Sequence, residues 1–414
     1  MKELKVMFHG FGAATLLGTL ADDGRDVLFQ YSPEAIAQGL DLSPIRLPLR
    51  AQAYPDNQAH YLNLQRVPGL LCDSLPDSWG FLLMNRRLKA SGIDPFKLST
   101  LDRLAYLGDN TMGALTYAPA TSLFADRQDL TLLELATEVQ AMLVDDGREV
   151  LSELVRAGGS AGGARPKALV YFNPATEQMS TQSGQVTDAQ PWLIKFPASD
   201  GERDSCALEA LYAQVAQGCD MGMTQTRFFE LPQGLTAFGT RRFDRQGEQR
   251  LHVHSLAGLL HVNFQMPSVG YEDYFKATRR LTRDHRELKK AVRRCIFNVL
   301  LNNRDDHAKN LAFMLNPDNT WHLAPPFDLT YCPGYQGEHF MDVAGEGKAP
   351  GRAHIVQAAL AAGLSKKEAG STIDEVLDGV TDAAFKTQAK ALPIRAKTVV
   401  MVAQAIDENR KRLA

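Results

Sequence analysis

The sequence predicts an α+β protein of 414 residues built from a β-rich part, a small mixed lobe and a helical lobe. Short runs that alternate apolar and polar residues fill the first third, as in half-buried strands. Residues 158–200 join glycine-rich and polar turns to apolar strands, and from about residue 255 apolar residues recur at helical spacing. A chain of this length exceeds one compact core, so we expect domains at 1–122, 123–243 and 244–414.

The composition is that of an ordinary globular protein, with 44% hydrophobic and 22% charged residues. A formal net charge of −3 gives no global reason to expect direct nucleic-acid binding. The five cysteines form no CxxC pair, which favours buried thiols in a reducing compartment over a disulfide frame or a zinc site. The N-terminus has no clean signal-peptide pattern, and no run of 18 apolar residues occurs. We therefore expect a soluble, cytoplasmic protein with no membrane contact.

Strand signals dominate the N-terminal part. The runs "ELKVMFHG" and "DVLFQYSP" and the turn "ADDGRD" predict a hairpin or meander. The stretch "GFGAAT" imitates half of a dinucleotide-binding fingerprint, but no helix signal follows it, which argues against that function. Helices are predicted at "LLCDSLPDSWGFLLMNRRLKASG", entered through Asp77 and Ser78, and at "TLLELATEVQAMLVDDG".

A glycine-rich turn, "GGSAGGARPK", runs into the predicted strand "ALVYF". Glycines let backbone amides approach phosphate groups closely, although an ordinary flexible turn remains open as an interpretation. The stretch does not match GxxxxGK[ST], so a Walker-type loop is excluded.

A single cation, Lys195, lies in the apolar strand "PWLIKFPA", and Glu209 follows in the helix "CALEALYAQVAQGC". A strand lysine paired with a helix glutamate positions ATP in protein kinases, whereas a surface salt bridge is the alternative. Lys167 is the rival phosphate-binding lysine, and we place it in the glycine-rich loop itself.

The stretch "NNRDDHAKNLAFML" concentrates charge between apolar segments, after an amphipathic helix that carries Leu288, Val292 and Ile296. Asp305 and Asn310 have the spacing of a kinase catalytic loop, and Asp328 follows in "APPFDLTY" as a second metal-binding carboxylate would. A helix-to-loop transition with merely solvated charges is the alternative. Together with the upstream glycine loop and lysine, the order of these signals favours ATP-dependent phosphoryl transfer.

Over essentially its full length the chain resembles the HipA-like serine/threonine kinases, toxins of bacterial type II toxin–antitoxin pairs. The resemblance rests on "LLCDSLPDSWGFLLMNRRL", "SAGGARPKALV", "WLIKFP" and "RRFDR", and most specifically on "NRDDHAKNLAFML" and "LAPPFDLTY". It implies a protein-kinase-like two-lobed fold with an added N-terminal β-rich subdomain. It also implies a dependence on ATP and Mg²⁺.

The resemblance implies roles for individual residues. Asp305 would be the catalytic carboxylate, and Asn310 and Asp328 would hold the metal. Ser160 matches a serine whose autophosphorylation holds the glycine-rich loop out and switches the kinase off, which is physically sensible because a phosphate there disturbs a loop that must cradle phosphates. The residues implied in ATP binding are Ser160, Ala161, Gly162, Gly163, Lys195, Glu209, Arg241, Phe243 and His307.

Two positions depart from the family pattern. Arg241 stands where the hinge usually has an acidic residue, which is tolerable if only its backbone meets adenine. Arg165-Pro166 replaces the usual Gln-Glu of the glycine-rich loop and could alter loop mobility.

The resemblance further implies partners. A small DNA-binding antitoxin would carry the chain to an operator, so that DNA is contacted only indirectly. The protein substrate in relatives is an aminoacyl-tRNA synthetase.

Three alternatives stay open at this point. A small-molecule or lipid kinase would share the same ATP site. A catalytically silent binding scaffold would not need Lys195, Asp305, Asn310 and Asp328 together. A metal-dependent hydrolase would use Asp305, Asp306 and His307 with further ligands, for which the clustered histidines His252 and His254 are the nearby source.

Overall fold

The structure, a computed structural model, describes residues 1–55, 65–121, 129–144, 165–199 and 202–414. Within these ranges it contains two five-stranded sheets, a three-stranded sheet, a two-stranded ribbon and a large C-terminal group of helices. The predicted fold class is confirmed: a small mixed lobe and a helical lobe follow an added β-rich N-terminal part. The division at residues 122 and 243 stays a prediction.

The N-terminal part opens with an antiparallel meander, as the sequence predicted. Alternation decides its orientation, because Leu4, Val6 and Phe8 are buried while Lys5 is exposed. No helix follows "GFGAAT"; the chain enters a strand instead. The strands are β1 (Lys2–Phe8), β2 (Thr15–Asp22), β3 (Val27–Tyr31), β4 (Tyr54–Pro55) and β5 (Leu115–Ala118), in the order β4-β3-β2-β1-β5.

Short helices accompany this sheet. They are α1 (Pro33–Ala37), α2 (Gly69–Cys72), α3 (Ser78–Ala90) and α4 (Thr100–Leu107). Asp77 is the N-cap residue of α3, which agrees with the predicted helix entry. A reciprocal capping box between Ser99 and Asp102 fixes the start of α4.

The small lobe is a five-stranded sheet between two helices. Its elements are α5 (Leu132–Val144), β6 (Lys167–Phe172), β7 (Met179–Ser180), β8 (Gln190–Lys195), α6 (Ser205–Gly218), β9 (Thr226–Glu230) and β10 (Thr236–Arg241), with strand order β7-β6-β8-β10-β9. Trp192 and Ile194 pack toward α5. Because side chains alternate along a strand, Lys195 points to the opposite face, where α6 lies.

The helical lobe begins with short strands and continues as helices. The strands are β11 (Arg245–Gln246), β12 (Gln249–Arg250), β13 (His252–Ser255), β14 (Ala312–Leu315) and β15 (Trp321–Leu323). The helices are α7 (Leu256–Leu260), α8 (Tyr271–Thr282), α9 (His285–Leu300), α10 (Arg352–Ala362), α11 (Lys366–Gly379), α12 (Asp382–Lys390) and α13 (Ala396–Leu413). The charged residues therefore lie between α9 and β14.

The sequence of α9 explains its place in the core. Leu288, Val292 and Ile296 recur at helical spacing and are buried. The Asp284 carboxylate caps the helix by accepting the Arg286 backbone N–H at 2.8 Å. The helix ends at Leu300, which delivers the chain directly to the charged stretch.

The N-terminal part meets the helical lobe backbone to backbone where α2 passes α7. A Cβ atom at Gly69 would lie 2.0 Å from the carbonyl oxygen of Gly258, so a side chain at this position would force the two helices apart. Across the described ranges, none of the helices combines the length and the apolar character that a membrane span requires.

Candidate functional site

A buried ion triad lies where β8, α6 and the segment after β15 meet. The Lys195 ammonium donates to Glu209 Oε1 at 2.5 Å and to Asp328 Oδ1 at 2.6 Å. Lys195 is 5% exposed and Glu209 is 3% exposed, so water screens these charges weakly. The predicted strand-lysine to helix-glutamate contact is therefore present, and Asp328 joins it. We call these three residues the cleft triad.

The pKa values of the cleft triad reflect one cation between two carboxylates. Burial alone would lower the pKa of Lys195, but Asp328 and Glu209 outweigh it and raise that pKa. Burial alone would raise the pKa of Asp328, but Lys195 and Lys167 hold it well below its usual range. Burial raises the pKa of Glu209, and the opposing effect of the Lys195 charge does not cancel that rise. Asp328 is thus the carboxylate that stays ionised most firmly.

Asp328 has an uncommon backbone conformation. Its φ angle is +56°, in the left-handed region that few residues other than glycine adopt. The preceding residue, Phe327, stacks on Phe243 with ring centroids 5.7 Å apart. Strained backbone of this kind is retained where surrounding structure fixes it, and it often aims a functional side chain.

Asp305 and Asn310 form an open loop near the cleft triad. The Asp305 side chain is 52% exposed, and its Oδ1 lies 3.9 Å from His307 Nε2. The Asn310 amide donates to the Asp305 carbonyl at 2.9 Å, which closes the loop. Partial burial raises the pKa of Asp305, opposed by His307 and reinforced by Asp328. A carboxylate with these properties is suited to accept a proton from a hydroxyl group.

Asp306 points the other way, into the core. It is 1% exposed and accepts from the Tyr271 hydroxyl at 2.7 Å, His339 Nδ1 at 2.8 Å and the Phe340 backbone N–H at 2.9 Å. The carboxylate oxygens of Asp306 are therefore occupied by hydrogen bonds that stabilise the fold. This arrangement removes the side-by-side aspartates on which the hydrolase alternative rested.

His307, His252 and His254 do not gather with Asp305 into a ligand set. The His307 ring packs between Phe264 and Phe340. His254 Nδ1 contacts Asp73 at 2.7 Å. No three His, Cys, Asp or Glu side chains of the described ranges come together as a metal-binding group.

Lys167 corrects one prediction. It is the first residue of β6 and pairs with Lys195 across the sheet, so its placement in the glycine-rich loop was wrong. Its side chain is buried, and burial followed by the charge of Lys195 lowers its pKa to about 8. Lys167 and Lys195 therefore lie side by side in the candidate site.

The predicted hinge is the turn that follows β10. Arg241 ends the strand, and the Arg242 N–H donates to the Pro191 carbonyl at 2.9 Å. Asp244 is fully buried and pairs with Arg242 and with Arg245, each at 2.7 Å. Burial alone would raise the pKa of Asp244, but the two guanidinium groups hold it well below its usual range. We call Arg242, Asp244 and Arg245 the hinge triad.

The N-terminal part supplies functional neighbours that sequence reasoning missed. The Gly113 N–H donates to Asp244 at 2.8 Å. The Lys309 ammonium pairs with Asp77, the N-cap residue of α3. These partners are more than a hundred residues apart in sequence, and the sole signal for them was the resemblance of the segment around Asp77 to a family motif.

A central cleft joins these groups. Its lining combines many apolar side chains with the cleft triad, Lys167, Lys309 and Asn310. Apolar walls suit a nucleobase, lysines suit phosphate oxygens, and the oxygens of Asp328 and Asn310 are of the type Mg²⁺ prefers. The donor set therefore fits ATP with Mg²⁺. The apolar lining consists of Leu70, Met112, Ala114, Leu115, Leu193, Ala213, Met223, Phe238, Phe243, Val253, Ala312, Phe327 and Leu329.

The predicted phosphate-loop residues Ser160, Ala161, Gly162 and Gly163 lie outside the described residues. Their roles, and the roles predicted for Asp305, Asn310, Asp328, Arg241, Phe243 and His307, stay predictions, although the structure brings Lys195, Glu209 and Asp328 into contact.

Comparisons with known proteins agree with this arrangement. A model of the HipA-like C-terminal domain matches residues 159–384, and a model of the HipA N-terminal domain matches residues 4–118. No curated protein matches the sequence.

One solved structure shares the fold over nearly the whole chain, and a second aligns with about half of the chain. HipA of Shewanella oneidensis MR-1, from a complex with HipB and its operator DNA, aligns with a TM-score of 0.71 and 18% identity over 99% of this chain and 96% of that chain. The proinflammatory kinase CtkA of Helicobacter pylori aligns with a TM-score of 0.42 and 12% identity over 54% of this chain and 88% of that chain. The first alignment spans all three parts of the chain described above.

Proposed function

The chain belongs to the HipA family, and from that premise we propose that it is an ATP- and Mg²⁺-dependent serine/threonine protein kinase that acts as the toxin of a toxin–antitoxin pair. The observation that carries the proposal is Lys195 held by Glu209 and Asp328 in a cleft that also opens on Asp305. Phosphoryl transfer requires positioned charges and little covalent chemistry from the protein.

The residues divide the work as follows. Bound ATP supplies the phosphoryl group, and Mg²⁺ offsets its charge. Lys195 would hold phosphate oxygens, while the oxygens of Asp328 and Asn310 would hold the metal. Asp305 would accept the proton of the acceptor hydroxyl as its oxygen bonds to phosphorus and the phosphoanhydride bond breaks. His307 and Asp306 would keep that loop in place.

The test is incubation of the purified chain with radiolabelled ATP and Mg²⁺, followed by mass spectrometry. We expect label on Ser160, loss of label with Asp305→Asn, and retention of label with Asp318→Asn, an exposed aspartate in the β14–β15 turn. ATP binding without label on the wild type would point instead to a kinase for another acceptor or to a silent scaffold. Label that survives Asp305→Asn would contradict the assignment of the catalytic carboxylate.

The proposal extends to partners and place of action. We propose a small DNA-binding antitoxin that links the chain to an operator, a protein substrate in translation such as an aminoacyl-tRNA synthetase, and a cytoplasmic site of action. The Shewanella HipA comes from a complex with HipB and operator DNA, which supports the first of these. A mobility-shift experiment should show the chain on operator DNA only when the antitoxin is present. A shift by the chain alone would contradict indirect binding.

A further inference from the structure

A second cleft, which we call the basic cleft, borders the hinge turn. Residues 220–224, the hinge turn, α9 and the β14–β15 hairpin enclose it. Of the twenty described residues that line it, eight are Lys or Arg and one is Asp, although the whole chain has a net charge of −3. The fold therefore concentrates positive charge at one place that the overall composition conceals.

Neighbouring carboxylates neutralise this charge incompletely. Glu375 serves both Lys289 and Arg293, and the hinge triad has two cations for one carboxylate. Arg286 and Lys290 pair with Asp284 and Glu287, at 2.7 Å each. With Asp220 of the lining counted as well, eight cations face five carboxylates. Arg241 contacts the amide of Gln190 at 3.4 Å and pairs with no carboxylate of the described residues. A positive excess therefore remains in the basic cleft.

Arg294 adds a buried charge to this lining. It is 5% exposed, and its Nη2 donates to the Ala324 carbonyl at 2.8 Å. Its Nε and Nη1 find no hydrogen-bond partner in the part of the chain that the structure describes, and the same holds for Nδ1 of His322 in the same wall. A guanidinium stays charged in proteins, so an anion in the cleft would gain from its field.

We propose that the basic cleft binds a compact, phosphate-bearing anion. The cations approach from the hinge turn and from α9, so they surround a concavity and do not form a flat stripe. Guanidinium groups match phosphate geometry well. Single-stranded nucleic acid sites add rows of aromatic platforms, whereas Phe243 and His322 are the aromatic side chains of the described lining. The basic cleft shares Arg241, Arg242 and Phe243 with the lining of the central cleft, whereas its α9 cations line the basic cleft alone. Binding of an anion by those α9 cations does not depend on the proposed kinase chemistry.

The test titrates inorganic pyrophosphate into the chain by calorimetry in Mg²⁺-free buffer. The wild type and Lys195→Met should both show a saturable site, because Lys195 belongs to the central cleft. The double variant Arg286→Gln/Lys290→Gln removes two exposed cations from α9, and we expect its affinity at this site to fall roughly tenfold. The matched control Lys386→Gln/Lys397→Gln removes two exposed cations from α12 and α13 and should change affinity less than about twofold.

Three outcomes would overturn the proposal. Pyrophosphate binding that vanishes with Lys195→Met would place the anion in the central cleft. Equal losses in the α9 pair and the control pair would show bulk electrostatics and no site. Displacement of pyrophosphate by a short RNA duplex at much lower concentration would assign the surface to nucleic acid. Arg294→Met is a second variant, to be compared once its unfolding curve shows a folded chain.

Discussion

The two ion triads that border the central cleft have opposite charge balances. The cleft triad holds one cation between two carboxylates, and the hinge triad holds one carboxylate between two cations. Both are buried, so each charge imbalance acts in a medium that screens it poorly. The two triads differ in the groups that interact with their unbalanced charge.

Backbone groups complete the hinge triad. Asp244 also accepts from the Gly113 N–H, and Arg245 donates to the carbonyls of Gly113 at 3.0 Å and Thr111 at 2.9 Å. These bonds fasten the N-terminal part to the turn between the small lobe and the helical lobe. Asp328 of the cleft triad is instead 25% exposed and faces the central cleft. The comparison teaches that one triad is committed to folding, while the other keeps negative charge available for a ligand.

Removing the cation of the cleft triad should have the largest effect. Lys195→Met removes the proposed phosphate contact and leaves two carboxylates facing each other, so we expect Mg²⁺-dependent labelling to fall about 10³-fold. Labelling rates measured beside Lys386→Met, an exposed lysine on α12, provide the check. A loss of less than tenfold would mean that the cleft triad has no part in the chemistry.

Removing the carboxylate of the hinge triad should lower the free energy of unfolding. Asp244→Asn leaves two buried guanidinium groups without their anion, and we expect the free energy of unfolding to drop by about 3 kcal/mol. Urea unfolding at neutral pH measures this, with the exposed Asp318→Asn expected to change less than about 0.5 kcal/mol. If both variants unfold alike, the hinge triad is not a structural fastening.

A Lys167 variant tests the comparison further, through the pH dependence of the free energy of unfolding. Its pKa of about 8 means that the folded state disfavours the charged lysine, so Lys167→Met should raise the free energy of unfolding by roughly 2 kcal/mol at pH 7. Between pH 8 and about 10.4 the unfolded chain holds more protons, so wild-type stability rises with pH and the difference shrinks. Urea unfolding at pH 7 and pH 9.5 tests the sign. A difference that is independent of pH would refute it.

The balanced pair Lys309–Asp77 should give the smallest effect. Asp77→Asn keeps an oxygen that can accept from Lys309, so we expect a loss of about 1 kcal/mol in the free energy of unfolding. The exposed pair of Lys386 with Asp382 offers a matched control, since Asp382→Asn should cost less than about 0.5 kcal/mol. Equal losses would show that burial does not distinguish the two pairs.

The sequence predicted the chemistry of the central cleft because its signals are local and ordered. A lysine in an apolar strand and a glutamate in an amphipathic helix are each visible within a few residues. The contact of Lys195 with Glu209 followed from that order, whereas the metal-binding role of Asp328 stays a prediction. The confirmed fold class came from the same local periodicities.

The features that the sequence did not predict depend on contacts between distant residues or on the direction in which a side chain points. Asp305 has the kinase-loop spacing to Asn310, but no sequence signal showed that the path of the loop turns Asp306 into the core. Lys309 and Asp77 are brought together by packing between distant parts of the chain. Lys167 was misplaced because a Pro-Lys pair after a glycine run reads as turn, whereas the sheet register makes it a strand residue.

The opposite directions of Asp305 and Asp306 have a practical consequence. Three hydrogen bonds to Asp306 hold the loop, so its shape does not depend on the neighbouring carboxylate. Under the proposed function, a chain with Asp305→Asn would keep its recognition surfaces and lose turnover. Such a chain is a ready-made bait, and chemical cross-linking from it inside bacteria would identify the acceptor by capture, without any need to guess it beforehand.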